Sequence, residues 1–543
     1  MLSHATRWLL QFSEGYGAGI VLVVLLLLFL RQLGNNQNAG PVPPKLPETI
    51  PFLSNSFQLA TNTAGFWARA RKAMRSLNTE ILRFRLGRRL VYLVVGESKT
   101  NPLFRTNTGL TSHYFIVHFA NILFGPRKED LMRFDADVTG RGKEPLPGTE
   151  HVHDRIWSGW HHIFSEHLVR TNATKDLATW FFDGFMTRTT EMFPLDTPTK
   201  LCVWSFLHRH LTECAGRALM GDVLFDEYPQ CMDLLADFDL AVMPIVFGAP
   251  RWLTPKPHRV REQWLDMHRS FMKRALQGYN WAAINNNEWD PVLGAPLTRS
   301  LVRWALDKGF SPDTVAGMWG QQMSNQNSNS VPAAAWCVMS ALTCPDPELL
   351  PNLRREARAA MITGSDGKPT LDLPKLLTSP WLQSVYAETL RMRVIFSIVR
   401  DVERDANVDG FTVPKGALIQ APIPLAHFND KAWGIDGHPP DEFWPQRHLS
   451  GNTAETKEFS TAGRNGYWFP YGGGITMCPG RNFAKQQILA TLSLFLTRFD
   501  IEVEGWIMAD GSGKRSDREA RNGDGFAVVR PDRDLKLKVR RKW

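Results

Sequence analysis

The chain has 543 residues with a formal net charge of +9 at pH 7, and 43% of its residues are hydrophobic. Because the positive charge is spread along the chain, nucleic-acid binding is disfavoured, and a basic face towards an acidic protein or an anionic membrane is the better interpretation. The six cysteines show no paired metal-ligand spacing and no dense framework, which argues against a disulfide scaffold and for reduced thiols.

An apolar, uncharged segment lies close to the N-terminus, from Tyr16 to Leu30. With its flanks it covers about 15–31, which is barely long enough to span a bilayer. No small-residue cleavage site follows, so an uncleaved membrane anchor is expected at 1–40. The proline-rich stretch 41–51 predicts a stiff, non-helical hinge. We therefore expect one catalytic domain at 41–543, since no internal repeat argues for dividing it.

A long helix is predicted from Ser311 to about Leu342. Ser311 is a favourable N-cap residue with proline directly after it, and Cys344-Pro345 marks the end of the pattern. The middle of this helix, Met323-Ser-Asn-Gln-Asn-Ser-Asn-Ser330, is a run of amides and hydroxyls. Pro332 then removes a backbone hydrogen bond, which is expected to leave a carbonyl oxygen free within the helix.

A charged pair follows on the next predicted helix, where Glu388 and Arg391 are three positions apart and share a helical face. The segment Pro440-Asp-Glu-Phe-Trp-Pro-Gln-Arg447 adds a third charge, Arg447. An isolated pair at this spacing is most often a surface ion pair that contributes little. In a buried cluster, by contrast, removing one partner costs about 3–5 kcal/mol.

The most informative stretch is Phe469-Pro-Tyr-Gly-Gly-Gly-Ile-Thr-Met-Cys-Pro-Gly-Arg481. Its glycines permit backbone conformations that side chains disfavour and the close approach of a flat ligand. Pro479 and Gly480 open a predicted helix, Asn482–Leu496, whose first-turn N–H groups and dipole favour an anion. Cys478 is therefore expected to be a thiolate, and so a nucleophile or a metal ligand. The alternative is an inert, buried cysteine beside a turn.

At these residues the chain resembles the cytochrome P450 family. The family pattern is aromatic, x, x, Gly, x, basic, x, Cys, x, Gly, with a small residue four positions later, and it reads here as Tyr471, Gly474, Thr476, Cys478, Gly480 and Ala484. The resemblance implies haem b, with the sulfur of Cys478 as proximal iron ligand, an aromatic shield at Tyr471 and a close helix–porphyrin contact at Ala484. It places Gly472, Gly474 and Gly480 in the same cofactor site.

Thr476 departs from the family pattern, which usually has a basic residue at this position to pair with a haem propionate. The resemblance therefore implies propionate partners elsewhere. Arg400 fits a family position for this role. His161 stands near the place of the usual arginine in the Trp-x-x-x-Arg motif, and two interpretations stay open: His161 replaces that arginine, or it is a surface histidine, which is the commoner outcome. The resemblance implies that Glu388, Arg391 and Arg447 form the family's structural triad, which holds the cysteine loop beneath the haem.

The predicted long helix corresponds to the one that crosses the distal face of the haem, and it lacks the usual acid–alcohol pair. It is similar to the branch that contains sterol 7- and 12-hydroxylases and prostacyclin synthase, which has an Asn at the acid position and the Gly-x-Gly-x-Thr-x-Cys-Pro-Gly-Arg form of the loop. With Pro332 as anchor, Asn329 takes the acid position and Ser330 the alcohol position of the proton relay. Anchoring on Trp319 instead selects Ser324 and Asn325.

The resemblance implies the mainly α-helical haem-thiolate fold with a small β-rich part, preceded by one N-terminal transmembrane helix. Helices are expected to dominate from about Phe66 to Leu342. Short strands are expected around Leu82–Val95, Val394–Ile419 and from Ile501 to the end. An apolar stretch at Leu240–Phe247 is interpreted as a second membrane contact, as pocket lining or as core.

The implied activity is monooxygenation of a lipophilic terpenoid, sterol-like or alkaloid substrate, in the style of fungal secondary metabolism. The implied partners are NADPH–cytochrome P450 reductase and cytochrome b5, on a single-pass protein of the endoplasmic reticulum whose catalytic domain faces the cytosol. Two alternatives stay open. One is a reductase-independent haem-thiolate isomerase or dehydratase, which the missing distal acid allows. The other is a non-catalytic haem- or lipid-binding membrane protein.

Overall fold

The computed structural model describes residues 42–543 except 51–52, 106–108, 171–173, 283–286, 365–366, 368, 436, 454–455 and 524–526. The predicted transmembrane helix, at about 15–31, lies outside the described residues. Within the described part of the chain, no helix combines the length and the apolar character needed to cross a membrane.

Helices dominate the described chain, as the sequence predicts. In chain order they are α1 (Ser54–Thr61), α2 (Thr63–Ser76), α3 (Glu97–Phe104), α4 (His113–Phe124), α5 (Lys128–Ala136), α6 (Ile156–Leu168), α7 (Lys175–Met192), α8 (Val203–Phe206), α9 (Thr212–Met220), α10 (Val223–Glu227), α11 (Cys231–Val246), α12 (Pro255–Ala275), α13 (Pro296–Asp307), α14 (Pro312–Thr343), α15 (Leu349–Ala359), α16 (Leu373–Thr378), α17 (Pro380–Arg393), α18 (Ile423–Ala426), α19 (Asp430–Trp433) and α20 (Arg481–Arg498). A π-helical turn, Leu207–Leu211, joins α8 to α9.

The strands form a smaller β part. They are β1 (Ile81–Leu86), β2 (Arg89–Val94), β3 (Leu110–Thr111), β4 (Pro198–Cys202), β5 (Met361–Thr363), β6 (Pro369–Leu371), β7 (Ser397–Val402), β8 (Ala406–Val408), β9 (Phe411–Val413), β10 (Leu418–Pro422), β11 (Leu449–Ser450), β12 (Glu458–Phe459), β13 (Phe499–Met508), β14 (Arg515–Ser516) and β15 (Arg533–Arg541). A five-stranded sheet has the order β1-β2-β10-β7-β3, and a four-stranded sheet has the order β14-β13-β15-β4.

The long helix α14 forms the centre of the helical part. The hydroxyl of Ser311 caps it by accepting a hydrogen bond from the Thr314 amide at 3.3 Å, and Asp130 of α5 accepts a hydrogen bond from the Ser311 hydroxyl at 2.6 Å. α14 packs against α4, α9, α12, α13, α17 and α20. Most of its side chains are buried, but Asn325 is exposed and Gln326, Ser328 and Asn329 are half-buried. The polar stretch of α14 therefore borders open space inside the protein.

The described part of the proline-rich hinge, 42–50, contains no helix. It runs beside β1, because the Leu46 amide donates a hydrogen bond to the Arg83 carbonyl at 2.8 Å and the Arg83 amide donates one to the Pro44 carbonyl at 2.9 Å. The backbone of the predicted spacer is thus held against the sheet.

The helix predicted after the cysteine loop is α20, which extends one to two residues beyond its predicted bounds at each end.

Candidate active site

Cys478 lies at the end of the glycine-rich loop, immediately before α20. Its amide donates a hydrogen bond to the carbonyl of Tyr471 at 2.9 Å, which closes the loop on itself. The loop contains a single 3-10 turn, Gly474–Thr476. Cys478 is the one exposed cysteine of the six, all of which the structure describes. The loop therefore presents a single accessible thiol.

Burial nevertheless raises the pKa of the Cys478 thiol, although the amides of Gly480 and Arg481 and the Arg481 guanidinium act in the opposite direction. A thiol that has accessible surface and is still desolvated faces an internal opening rather than bulk water. A thiol that coordinates a metal ion loses its proton, so a bound metal ion would make Cys478 the thiolate that the sequence predicts.

The glycine at 474 is required by the protein itself rather than by a ligand. Its φ is +60°, a conformation that favours glycine, and an added Cβ would lie 1.7 Å from the carbonyl oxygen of Phe104 in α3. Gly472 also has a positive φ, +75°, but the nearest atom to its Cβ position is 3.8 Å away. The close packing of α3 against the loop thus fixes the path of the chain towards Cys478.

Tyr471 stands in the aromatic position before the cysteine. Its hydroxyl lies 2.6 Å from the hydroxyl of Tyr386, on α17. Burial raises the pKa of Tyr471, so it remains a neutral phenol. The pair ties the loop to the helix that carries the charged cluster, a contact that the sequence alone did not indicate.

The structure brings Glu388, Arg391 and Arg447 together in a fully buried cluster. Arg391 makes a bidentate contact with the Glu388 carboxylate, both N–O distances being 2.8 Å, and Arg447 Nε lies 2.9 Å from Oε1. All three side chains are 0% exposed. Burial acts to raise the pKa of Glu388, but Arg391 and His448 outweigh it and hold this pKa well below its usual range.

The two arginines also fix the backbone around them. Arg391 donates to the carbonyls of His427 and Pro440 at 2.9 and 2.6 Å. Arg447 donates to the carbonyls of Pro439 and Glu442, both at 3.1 Å. Sequence reasoning missed two further members, His448, which lies 3.1 Å from Glu388 Oε2, and Arg464, which donates to the Arg447 carbonyl at 2.6 Å. The cluster therefore braces the chain that leads into the cysteine loop.

A cationic group adjoins the loop at Thr476. Arg400, in β7, donates a hydrogen bond to the Thr476 hydroxyl at 3.1 Å and so brings a guanidinium to the position where a basic residue was expected. Burial, with a smaller contribution from Arg141, lowers the pKa of Arg400 to about 10. Arg141, which sequence reasoning missed, is itself desolvated, and its Nε has no hydrogen-bond partner among the described residues.

His161 belongs to the same neighbourhood, because Arg141 contributes to the lowering of its pKa after the larger effect of burial. Its Nε2 lies 3.3 Å from the hydroxyl of Ser165, one turn along α6. At neutral pH His161 is thus a neutral hydrogen-bonding group, and the guanidinium group that acts on it is that of Arg141. A desolvated cationic group of this kind is suited to hold carboxylates.

On the distal side, Asn329 accepts a hydrogen bond from the Val528 amide at 3.3 Å and donates one to the Asn325 carbonyl at 3.4 Å. Ser330 is buried, whereas Ser328 and Asn329 line a cavity with Asn325. The amide of Gln326 donates to Gln487 of α20 at 3.2 Å, which ties the polar stretch of α14 to the helix that follows Cys478. Of the four residues that the two alignments of α14 select, Ser324, Asn325 and Asn329 line this cavity and Ser330 does not.

These residues fit a haem. The site offers one accessible thiol, a desolvated guanidinium with an Nε that has no partner among the described residues, Gly480, whose Cβ position lies 3.8 Å from the sulfur, and the small residue Ala484 in the first turn of α20. In the described ranges, no group of three or more His, Cys, Asp or Glu side chains is arranged to hold a bare metal ion. A lone thiolate suits a metal whose other in-plane ligands come from a porphyrin, and the cations suit its propionates.

Comparison with known proteins also supports a haem-binding site. A family model described as cytochrome P450 matches residues 335–509. The chain is 36% identical over 534 residues to the cytochrome P450 monooxygenase calL of Penicillium decumbens, covering 96% of this chain and 97% of that protein. It is 32% identical over 337 residues to the cytochrome P450 monooxygenase fsoE of Humicola fuscoatra, covering 55% and 56% of the two chains.

Proposed function

The chain belongs to the cytochrome P450 family, and on this premise we propose that it inserts one oxygen atom from dioxygen into a terpenoid, sterol-like or alkaloid substrate. Both of these relatives are fungal proteins named as monooxygenases, which supports a role in fungal secondary metabolism. Haem iron ligated by the Cys478 thiolate supplies the dioxygen activation when it is bound. The remaining work falls to the protein's own side chains.

The observation that carries the proposal is the accessible Cys478 thiol on a loop held from several sides. The Glu388 cluster braces the chain that enters the loop, Phe104 confines Gly474, and the hydroxyl pair of Tyr471 and Tyr386 anchors it to α17. Such bracing would hold the sulfur in one position against a bound haem. Arg141 and Arg400 would hold the carboxylates of the cofactor.

The proposed partners and location follow from the same family. We infer that NADPH–cytochrome P450 reductase delivers the electrons, that cytochrome b5 is an additional donor, and that the residues at 1–40 anchor the chain in the endoplasmic reticulum. Support for a membrane comes from the surface after α11, where Phe247 is 81% exposed, Trp252 82% and Leu253 62%. Large apolar side chains exposed together are typical of an interaction surface.

The test of the function is turnover by the full-length protein in membranes with its reductase. We expect product that carries oxygen from isotopically labelled dioxygen and that forms only when NADPH is supplied. Conversion of a peroxide without NADPH, with no incorporation of labelled oxygen, would contradict the proposal and favour an isomerase or dehydratase. The Cys478→Ala variant is the matched control, because it removes the iron ligand and leaves the substrate-facing side intact.

A further inference from the structure

Asp239 of α11 projects a carboxylate onto the polar stretch of α14. Its Oδ1 accepts hydrogen bonds from the Ser328 hydroxyl at 2.8 Å and the Ser324 hydroxyl at 3.0 Å. Its Oδ2 lies 3.3 Å from a terminal nitrogen of Arg530, and the two side chains are 7% and 16% exposed. In α14 itself the acidic residue is Asp313, in the first turn, far from the polar stretch. A neighbouring helix therefore provides a carboxylate to the hydroxyls of α14.

Two small cavities meet at this carboxylate. Asp239 and Ser328 line both of them. The other polar side chains of the first cavity are His208, Thr212, Asn327 and Arg530, and those of the second are Gln321, Ser324, Asn325 and Asn329. Each cavity has room for about one or two water molecules, which is too little for a lipophilic substrate.

Both cavities are lined by buried polar atoms that lack a hydrogen-bond partner among the described residues. In the first cavity these are the hydroxyl of Thr212 and both amide atoms of Asn327, and in the second it is the side-chain oxygen of Gln321. Buried polar groups in folded proteins nearly always find a partner, and ordered water supplies it where protein does not. The two cavities are therefore suited to hold water on either side of Asp239.

Monooxygenation of a C–H bond consumes dioxygen, a pair of electrons and a pair of protons, and it releases water with the product. We propose that Asp239 supplies these protons to the distal side through the hydroxyl of Ser328, with water in the two cavities at either end. This inference rests on the proposed monooxygenase function. It assigns the carboxyl role to α11 rather than to the distal helix, where sequence reasoning sought it at Asn329.

Solvent supplies the proton that is transferred. A protonated water in the cavity beside His208 gives its extra proton to the ionised carboxylate, which becomes a neutral carboxyl and leaves a neutral water behind. The carboxyl then gives a proton to the Ser328 oxygen as the Ser328 hydroxyl proton passes to water in the second cavity. Asp239 is ionised again, and one proton has moved from the first cavity to the cavity beside Asn325 and Asn329. Because Asp239 acts through Ser328, it is a positioning residue.

The charges around Asp239 are suited to this cycle. Burial raises the pKa of Asp239 to about 6, although Arg530 and the two serines act to lower it. A group with such a pKa holds and releases protons near neutrality, where relay groups work best. The other titratable side chain in the first cavity, His208, has a pKa lowered to about 4 by burial and by Arg530, so it is neutral there.

The experiment compares Asp239→Asn with Asp237→Asn in the full-length holoprotein. Asp237 lies on the same helix and is exposed, so its variant controls for loss of a charge from α11. We expect Asp239→Asn to lower the product formed per NADPH by about tenfold and to raise the solvent isotope effect, because a side chain that cannot release a proton interrupts the transfer. Asp237→Asn should match the wild type in both.

An infrared pH titration gives a readout apart from activity. The wild type and Asp237→Asn should show a protonated-carboxyl band that titrates near pH 6 and is missing in Asp239→Asn. Ser328→Ala, which leaves the carboxylate in place, should keep the band but lose coupling, and it serves if Asp239→Asn fails to fold. The proposal would be overturned if Asp239→Asn or Ser328→Ala formed as much product per NADPH as the wild type. It would also be overturned if Asp239→Asn kept the carboxyl band of the wild type. Absence of wild-type turnover with NADPH would instead count against the proposed function.

Discussion

Replacing Glu388 with glutamine is expected to destabilise the folded protein by about 3–5 kcal/mol. Glutamine has nearly the same shape but no charge, so it cannot balance Arg391 and Arg447, which are both 0% exposed. The Glu388 carboxylate also accepts a hydrogen bond from the Trp444 amide at 3.0 Å. The loss of stability therefore comes from the two buried guanidinium groups left without a counter-charge, and not from a change in side-chain volume.

The assay is the unfolding free energy from urea denaturation of full-length protein in detergent, followed by tryptophan fluorescence and by haem content. Glu262→Gln is the matched control, since the Arg251–Glu262 pair is 68% and 44% exposed and such surface pairs are worth about 0–1 kcal/mol. If Glu388→Gln falls within about 1 kcal/mol of Glu262→Gln, the buried cluster does not hold the fold as described.

The same cluster predicts a pH dependence. Because the folded pKa of Glu388 is held well below the ordinary glutamate value of 4.5, its contribution to stability is complete above that value and is lost as pH falls through the lower folded pKa. Acid should therefore destabilise the wild type more steeply than Glu388→Gln, in which this ionisation is missing. Equal acid sensitivity of the two proteins would contradict the assigned shift.

Two further variants test the loop and its cations. Gly474→Ala should reduce haem content severely, because its Cβ would lie 1.7 Å from the Phe104 carbonyl oxygen. Gly472→Ala is the control and should retain more haem, because the nearest atom to its Cβ position is 3.8 Å away. Equal loss of haem in both variants would count against the packing of α3 on the loop. Arg141→Leu should speed haem transfer to apomyoglobin about tenfold, as expected for a lost charge-assisted contact. Arg88 is exposed, so Arg88→Leu is the control and should leave the rate unchanged. Equal transfer rates in the two variants would show that Arg141 does not contact the haem.

The sequence predicts a structural feature correctly where all the residues that form it are close together in the chain. The Ser311 cap, the helix after the cysteine and the Glu388–Arg391 spacing are each written within a few residues, and the structure has them at those positions. Thr476 signalled that a cation had to come from elsewhere, which led to Arg400 through the family resemblance. The identity of the loop neighbour of Gly474, Phe104, had no such signal, because it lies hundreds of positions away along the chain.

The distal side shows most clearly what could not be predicted from the sequence. Asp239 and Arg530 come from elements 291 positions apart, and only the packing of α11 on α14 brings the carboxylate to Ser324 and Ser328. Helical periodicity identifies the polar stretch of α14 but not which helix covers it. The burial of Cys478 is hidden from the sequence for a related reason, since the distant segments that raise the pKa of its thiol cannot be identified from local pattern.

The most direct test of the account is the carbon monoxide difference spectrum of the reduced protein, wild type against Cys478→Ala. The account predicts a thiolate-type band in the wild type and its loss in the variant, with the band retained in Cys337→Ala, since burial raises the pKa of the Cys337 thiol to about 12 and keeps it protonated. A thiolate-type band that survives in Cys478→Ala, or a well-folded wild type that takes up no haem, would contradict it.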